Sequence, residues 1–516
     1  MVVVRSPFVA PEVPDLALTD YVLRDLDRLR DRTALVDGPT GRSYTFGEFD
    51  ERVRSLAGGL LDRGIRTGEV VALMAPNLPE FAVALHGVTT AGGTVTTINP
   101  NYTVGEVRRQ LCDAAVTRLL TIPEASSVAR EAAVGTNVRE IHVMGDSGGE
   151  PYWGELFGEV LTSGVEIDTA EHVAIIPYSS GTTGLPKGVM LTHRSLVTNL
   201  VQSEPALGYV PGGEVALAVL PFFHIYGLHV LMNTLLAAGA TVVTMPRFEL
   251  RSALSLIEEY RVTQFFAVPP MVMALARDPM VDEYDLSSLK MIMAAAAPLG
   301  VDIAEEAAAR VGCELTQAYG MTEVLDTHVT PPGANRAGSS GLTIAGVECR
   351  VCDIETGDEL GIGEEGELRI RNPQVMKGYL NNPEATEAAV DADGWVRTGD
   401  VVRFDTDGYM YVVDRVKEII KYKGFQVAPA ELEALIVTHP AVADVAVIGV
   451  PDVEAGELPK AFIVLEEGWG ATTEEIQEFV AQAVATYKRI RVVEFIEEIP
   501  RSPSGKILRR LLRDRG

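Results

Sequence analysis

Cysteine is scarce in this chain, with four among 516 residues, at Cys112, Cys313, Cys349 and Cys352. Cys349 and Cys352 form a CxxC, but their run, VECRVCD, reads as a strand and has no second ligand pair nearby, so a zinc or redox centre gives way to ordinary packing. Basic charge is short as well: Lys plus Arg number 44 against 72 Asp plus Glu, a formal net charge of -28. That balance opposes binding to nucleic acid or anionic membrane through a general basic surface, while leaving room for a local cluster of cations around a small phosphorylated ligand. Long hydrophobic runs are missing. The opening MVVVRSPFVAPEVPD has no basic region followed by a sustained apolar segment, and later apolar stretches are broken by Gly, Pro or charge before membrane-spanning length. No fixed-period repeat stands out, and His193, His229 and His328 lack metal-site spacing. The expectation is a cytoplasmic protein, a monomer or weak homodimer, with no nucleic-acid or membrane partner.

What is present is enough apolar material, 47% of 516 residues, to bury large cores in more than one domain. Short β-branched runs at 70–74, 93–98 and 118–122 alternate with helix-like stretches at 49–61 and 81–91. The rhythm returns at 214–220, 240–245 and 264–268, with helices expected over 250–260 and 301–311. Buried parallel strands joined by helices follow from that pattern. Later, 365–371 and 408–414 read as strands, and 391–400, DADGWVRTGD, reads as turn-rich. Beyond the charged RVKEIIKYKG at 415–424 the chain alternates again, with helices expected at 429–438 and 473–485 and strands at 442–450 and 460–465. We therefore expect an α/β fold, with a large multi-subdomain domain over 1–414 and a small mobile α+β domain over 415–516.

The strongest local signal is YSSGTTGLPKGVMLTHR at 178–194. After a strand-like 173–178, it presents Ser179, Ser180, Thr182 and Thr183 beside Gly181, Gly184 and Gly188. Glycines let the backbone approach phosphate oxygens, hydroxyls and peptide N–H groups donate to them, and Lys187 adds a mobile positive charge. The order is not GxxxxGK[ST], so this is a phosphate loop of another kind. Downstream lie PFFHIYGL at 221–228, MAAAAPLG at 293–300, QAYGMTE at 317–323, TGD at 398–400, DRVKEIIKYKGFQ at 414–426 and SPSGKILRR at 502–510.

Together, from SYTFGEFD at 43–50 to the terminal SPSGKILRR, these motifs resemble the adenylate-forming superfamily of acyl-CoA synthetases, peptide-synthetase adenylation domains and beetle luciferase, in the order of its 4-coumarate–CoA ligase branch. The resemblance implies ATP, Mg²⁺ and coenzyme A as co-substrates and metal, an acyl-adenylate intermediate, and a small aromatic acid such as a hydroxycinnamate. It implies that Tyr319 packs on adenine, that Thr322 approaches the AMP phosphate, and that Glu323 holds the metal. Those residue types suit stacking and hard-cation ligation. Ala296, Gln317 and Ala318 fall at nucleotide-contacting positions, and Asp400 and Arg415 fall on the ribose hydroxyls. Lys506 is implied to stabilise phosphate charge during adenylation. Lys417 matches a domain hinge whose rotation brings Lys421, Lys423, Gly424 and Gln426 to the site for thiol transfer. His224 is implied as a gate to the coenzyme A channel and Arg247 as a contact to coenzyme A phosphate. Tyr226, Ala294, Ala295, Lys417, Lys421 and Gln426 are the acid-side positions, with Ile225, Met293 and Leu299 as apolar lining and Tyr226 long enough to reach a phenol. The branch commonly has glycine where Ala318 stands and a Ser-Gly pair where Ala294 and Ala295 stand, so the acid pocket carries extra methyl groups here. A fatty acyl-CoA ligase would share every nucleotide motif, and a non-catalytic nucleotide sensor is the alternative from another class.

Overall fold

A computed structural model describes residues 3–145, 152–179, 186–423, 425–502, 505–513 and 515. Two sheets of largely parallel strands form the bulk of the first 380 residues. One runs in the order Gly378–Tyr379, Lys187–Thr192, Val173–Ile176, Thr94–Ile98, Val70–Met74, Arg118–Thr121 and Glu140–Val143, with Tyr178–Ser179 pairing Lys187–Thr192. The other runs Glu314–Gln317, Met291–Ala294, Gln264–Ala267, Val215–Ala218, Thr241–Thr244, Thr33–Asp37 and Ser43–Thr45. Val70–Met74 and Met291–Ala294 are uninterrupted apolar runs, as parallel pairing covered by helices favours, whereas Thr94–Ile98, equally buried, carries three threonines whose hydroxyls donate to backbone carbonyls.

Helices Phe46–Asp62, Pro79–Thr90 and His193–Leu207 contribute to one apolar core with residues of both sheets, including Leu35, Val71, Leu85, Leu196 and Ala216. The first of these helices starts where Thr45 and Glu48 exchange side-chain-to-backbone bonds in a capping box. A second core lies on the far side of the second sheet under Leu250–Tyr260, Pro269–Arg277 and Val301–Val311. Among the described residues no helix is long and apolar enough to cross a membrane.

A third sheet is antiparallel, in the order Val4–Arg5, Glu348–Cys352, Gly366–Arg371, Val396–Phe404 and Met410–Arg415. It corrects the reading of 391–400 as turn-rich throughout. Asp391 accepts from the amides of Asp393 and Trp395 to make the turn, but from Val396 the chain is a strand paired on both sides. Tertiary pairing and burial of Val396, Val401, Val402 and Phe404 outweigh the local turn preference of Thr398 and Gly399.

After Arg415 the chain turns and enters a different sheet, ordered Phe425–Val427, Ile420–Tyr422, Gly456–Leu465 and Val442–Asp452, with Val492–Phe495 alongside Gly456–Leu465. The α/β architecture therefore has a large amino-terminal part and a small carboxy-terminal one. The small part packs Leu432, Ile436 and Val447 into the same apolar cluster as Ile303 and Leu315 of the large one.

Candidate functional site

The QAYGMTE segment folds as a tight hairpin, Tyr319–Met321 against Leu325–Val329. A Cβ on Gly320 would lie 2.4 Å from the Leu325 carbonyl oxygen, so only glycine lets these strands approach. The hairpin places the Tyr319 hydroxyl 2.6 Å from Asp400 Oδ2, to which it donates. Asp400 stands directly opposite Arg415 in antiparallel register, and Arg415 Nε reaches Asp400 Oδ1 at 2.9 Å. Thr398 Oγ1 accepts from the Asp400 amide at 3.1 Å, and Gly399 between them adopts φ +70°. Burial and then the Asp400 charge push the Tyr319 phenol well above its ordinary value, so it stays a donor. Asp400 in turn raises Arg415.

At the hairpin's other end, Glu323 Oε1 accepts from Ser179 Oγ at 3.0 Å and from the Tyr379 hydroxyl at 2.8 Å. Lys187 Nζ sits 4.3 Å from the centre of the Tyr379 ring. Thr322 and Glu323 are both buried. Ser180, Gly181, Thr182, Thr183 and Gly184, the middle of the glycine-rich loop, lie outside the described residues, as does Gly424.

Lys506 enters this neighbourhood from the small carboxy-terminal part. Burial lowers its ammonium pKa, and Arg415 lowers it further, while Asp400 and Glu323 act the other way. Its neighbour Gly505 lies close enough to the large part that a Cβ there would meet Val268 at 3.0 Å. His224 also feels the Lys506 charge. Burial, then Lys506, brings its imidazole down to about 3, so it is neutral across the physiological range. His224 Nδ1 accepts from the Tyr226 amide at 3.3 Å, which leaves the proton on Nε2.

Tyr226 begins a π-helical stretch, Tyr226–Asn233, and its hydroxyl donates to the Met293 carbonyl at 3.1 Å. Its hydroxyl proton is thus held by backbone, while its oxygen keeps the lone pairs with which it would accept from a phenol. Met293 is fully buried in the first core, and Ile225 and Leu299 are buried too. Ala294 pairs with Gln317 across parallel strands, Ala318 donates to the Ala294 carbonyl, and Ala296 adopts φ +74° between them and Leu299. A left-handed alanine beside this hairpin is a local strain of the kind that collects at functional sites.

The remaining expected residues stand elsewhere in this arrangement. Lys421, Lys423 and Gln426 are solvent-exposed on the Ile420–Tyr422 and Phe425–Val427 hairpin, Lys417 is exposed in the turn before it, and Arg247 is exposed after the Thr241–Thr244 strand. Sequence reasoning missed Tyr379 and Thr398. Thr398 is only a neighbour of TGD's aspartate, and Tyr379 lies in KGYL far from any loop signal, its one cue being a tyrosine beside a glycine at a strand end.

A model of the AMP-binding enzyme family matches residues 23–380, and one of the AMP-binding enzyme C-terminal domain matches residues 431–506. The 4-coumarate–CoA ligase 3 of Oryza sativa subsp. japonica is 43% identical over 530 residues, covering 100% of this chain and 95% of that protein. ATP-bound MatB from Rhodopseudomonas palustris superposes with a TM-score of 0.88 at 28% identity, covering 97% of this chain and 99% of that one. The anthranilate CoA ligase AuaEII in complex with anthranoyl-AMP gives 0.87 at 26% identity, over 97% of this chain and 98% of the other.

Proposed function

The chain belongs to the AMP-binding enzyme family, and from that premise we propose that it joins a carboxylic acid to coenzyme A by way of an acyl-adenylate made from ATP. The acid we assign is a hydroxycinnamate or a related small aromatic acid. Its support is the near-complete alignment with a 4-coumarate–CoA ligase, together with a solved relative in complex with anthranoyl-AMP. The observation that carries the reading is that Lys506, near the end of the small domain, lies within electrostatic reach of Asp400 and Glu323 of the large domain and of Arg415 at the boundary, next to the close approach of Gly505 to Val268. In the same proposal the large domain covers 1–414, the small one 415–516, and the hinge lies at Lys417.

In the first step an acid oxygen attacks the α-phosphorus of ATP and the bond to the β-phosphate oxygen breaks, so pyrophosphate leaves with the electron pair. Lys506 and Lys187 neutralise the negative charge that concentrates on phosphorus and on the leaving group. Asp400 accepts from the ribose hydroxyls, Arg415 fixes the Asp400 carboxylate and donates beside it, and Tyr319 lies against adenine. Thr322 and the hydroxyls of the 179–183 loop donate to phosphate oxygens. Among the described residues no group of three His, Cys, Asp or Glu could hold a metal. Glu323 nonetheless fits Mg²⁺, a hard cation that needs one or two protein carboxylates and takes its other ligands from phosphates and water. When bound there, Mg²⁺ supplies charge neutralisation along the triphosphate.

In the second step the coenzyme A sulfur attacks the acyl carbon, the bond to the AMP oxygen breaks, and the thiol proton passes to solvent as AMP leaves. Rotation at Lys417 replaces Lys506 with the Lys421, Lys423 and Gln426 hairpin for this step. His224, neutral and compact, swings as a gate in this proposal, and the exposed Arg247 meets a coenzyme A phosphate. The test is AMP release with ATP, Mg²⁺, coenzyme A and matched panels of aromatic and aliphatic acids. Hydroxycinnamoyl-CoA formed in preference to aliphatic thioesters supports the assignment. Turnover of aliphatic acids alone moves it to a fatty acyl-CoA ligase, and ATP binding without AMP release with any acid leaves a nucleotide sensor.

A further inference from the structure

The large domain touches the helix Pro429–Ile436 of the small one at both ends and in the middle. At the first turn Asp414 Oδ2, on the last strand of the large domain's antiparallel sheet, accepts from the Ala430 amide at 2.8 Å. Past the last turn Arg277 Nη2, at the end of the Pro269–Arg277 helix, donates to the Val437 carbonyl at 3.2 Å. Between them Ala434 faces Gly300, whose Cβ, if it had one, would lie 3.4 Å from the Ala434 Cβ. Terminal amides and carbonyls of a helix lack intrahelical partners, and an anion at the first turn and a cation at the last suit its dipole. Both complementary charges come from the other domain.

The same helix leads to Lys506. Arg509 Nη2 donates to Glu433 Oε1 at 2.6 Å and Arg509 Nε donates to the Val447 carbonyl at 3.2 Å, tying the segment that carries Lys506 to the helix. The Arg509 charge also acts on Asp414, so one guanidinium serves both the helix and the aspartate that holds it. Beside the Arg277 contact an open groove of about 500 Å³ is lined by Arg277, Glu306, Thr438, His439 and Trp469. Leu432 and Ile436 pack the helix into the apolar cluster of the large domain, and the groove leaves its Arg277 end open to water.

We propose that Asp414 and Arg277 are positioning residues that hold the Pro429–Ile436 helix by its two ends and thereby keep Lys506 at the adenylation site. This rests on the reading that the small domain rotates between half-reactions. Release exchanges two hydrogen bonds for bonds to water, so the clamp biases the domain equilibrium without freezing it.

The test uses the full chain with Cys112→Ser and Cys313→Ser, into which Gly300→Cys and Ala434→Cys are introduced. Their Cβ atoms fall close to the roughly 3.5–4.5 Å that a disulfide spans. The rate of disulfide closure in oxidised glutathione reads how much of the time the helix is docked, with no catalysis required. Adding Arg277→Met or Asp414→Asn slows closure about tenfold, the scale of one hydrogen bond to a charged group, and Arg277→Lys, which keeps a donor, restores most of it. Closure rates unchanged by both substitutions overturn the clamp. Without the added cysteines, Arg277→Met slows acyl-adenylate formation and spares transfer from supplied acyl-adenylate to coenzyme A. Equal loss in the two half-reactions overturns the positioning role. If the parent protein makes no acyl-adenylate with any acid, it is the functional reading that fails, and the closure rates still decide the clamp.

Discussion

Two basic surfaces of the small domain stand in opposite situations. Lys506 is drawn into the company of Asp400, Glu323 and Arg415, with its pKa lowered by burial, whereas Lys421 and Lys423, on a hairpin of the same domain, are exposed. One small domain thus presents Lys506 to that charged cluster and keeps Lys421 and Lys423 outside it. On our reading the difference is a division of labour in time: a single site serves two reactions because only one face of the small domain meets it at once.

The comparison breaks most sharply at Lys506. Lys506→Ala is expected to lower acyl-adenylate formation on the order of a thousandfold, the upper scale for removing one preorganised charge at a phosphoryl-like centre. Transfer from supplied acyl-adenylate to coenzyme A should be nearly unchanged. Stopped-flow measurement of the two half-reactions checks this. The mirror image is Lys421→Ala, for which we expect thioester formation to fall on the order of tenfold to a hundredfold with pyrophosphate exchange intact. Asp400→Asn removes the charge that accepts from Tyr319 and pairs with Arg415. It should raise KM for ATP about tenfold, as expected for losing charge-assisted bonds, in steady-state kinetics at fixed acid. The smallest effect is Tyr379→Phe, which deletes one donor to Glu323 and should shift the Mg²⁺ dependence of adenylation by a few-fold, the scale of a second-layer bond.

Acidity sharpens the same contrast. The lowered pKa of Lys506 means that the ammonium is lost at a lower pH than for a free lysine. As pH rises, kcat/KM for adenylation should therefore fall before the ordinary lysine value of 10.5 is reached. His224 stays neutral down to about 3, so it contributes no titration between neutral and alkaline pH. A pH profile of kcat/KM checks both statements.

Much of this was legible before any coordinates, because the chemistry is written in contiguous motifs. Gly320 between Tyr319 and Met321 is required by a close backbone approach, and Asp400 and Arg415, fifteen residues apart, meet because two antiparallel strands return on one another. The parallel strands were readable because burial on both faces leaves unbroken apolar runs such as Val70–Met74. Other parts were hidden for physical reasons. The strand Val396–Phe404 carries turn-forming residues, and its extended form depends on partners from distant segments. Tyr379 meets Glu323 across 56 positions, and Arg277 meets Val437 across 160, so no local pattern announces either pair. The π-helical turn at Tyr226–Asn233, which commits the Tyr226 hydroxyl to the Met293 carbonyl, likewise has no signature in composition or periodicity.

The most direct test of the central claim is a rapid-quench experiment in which the protein is mixed with ATP, Mg²⁺ and 4-coumarate, and coenzyme A is added only after a delay. The account predicts that coumaroyl-AMP and pyrophosphate form together before the addition. Afterwards coumaroyl-AMP should be converted to coumaroyl-CoA and AMP in equal amounts. Release of pyrophosphate that waits for coenzyme A, or coumaroyl-AMP that persists after its addition, would contradict it.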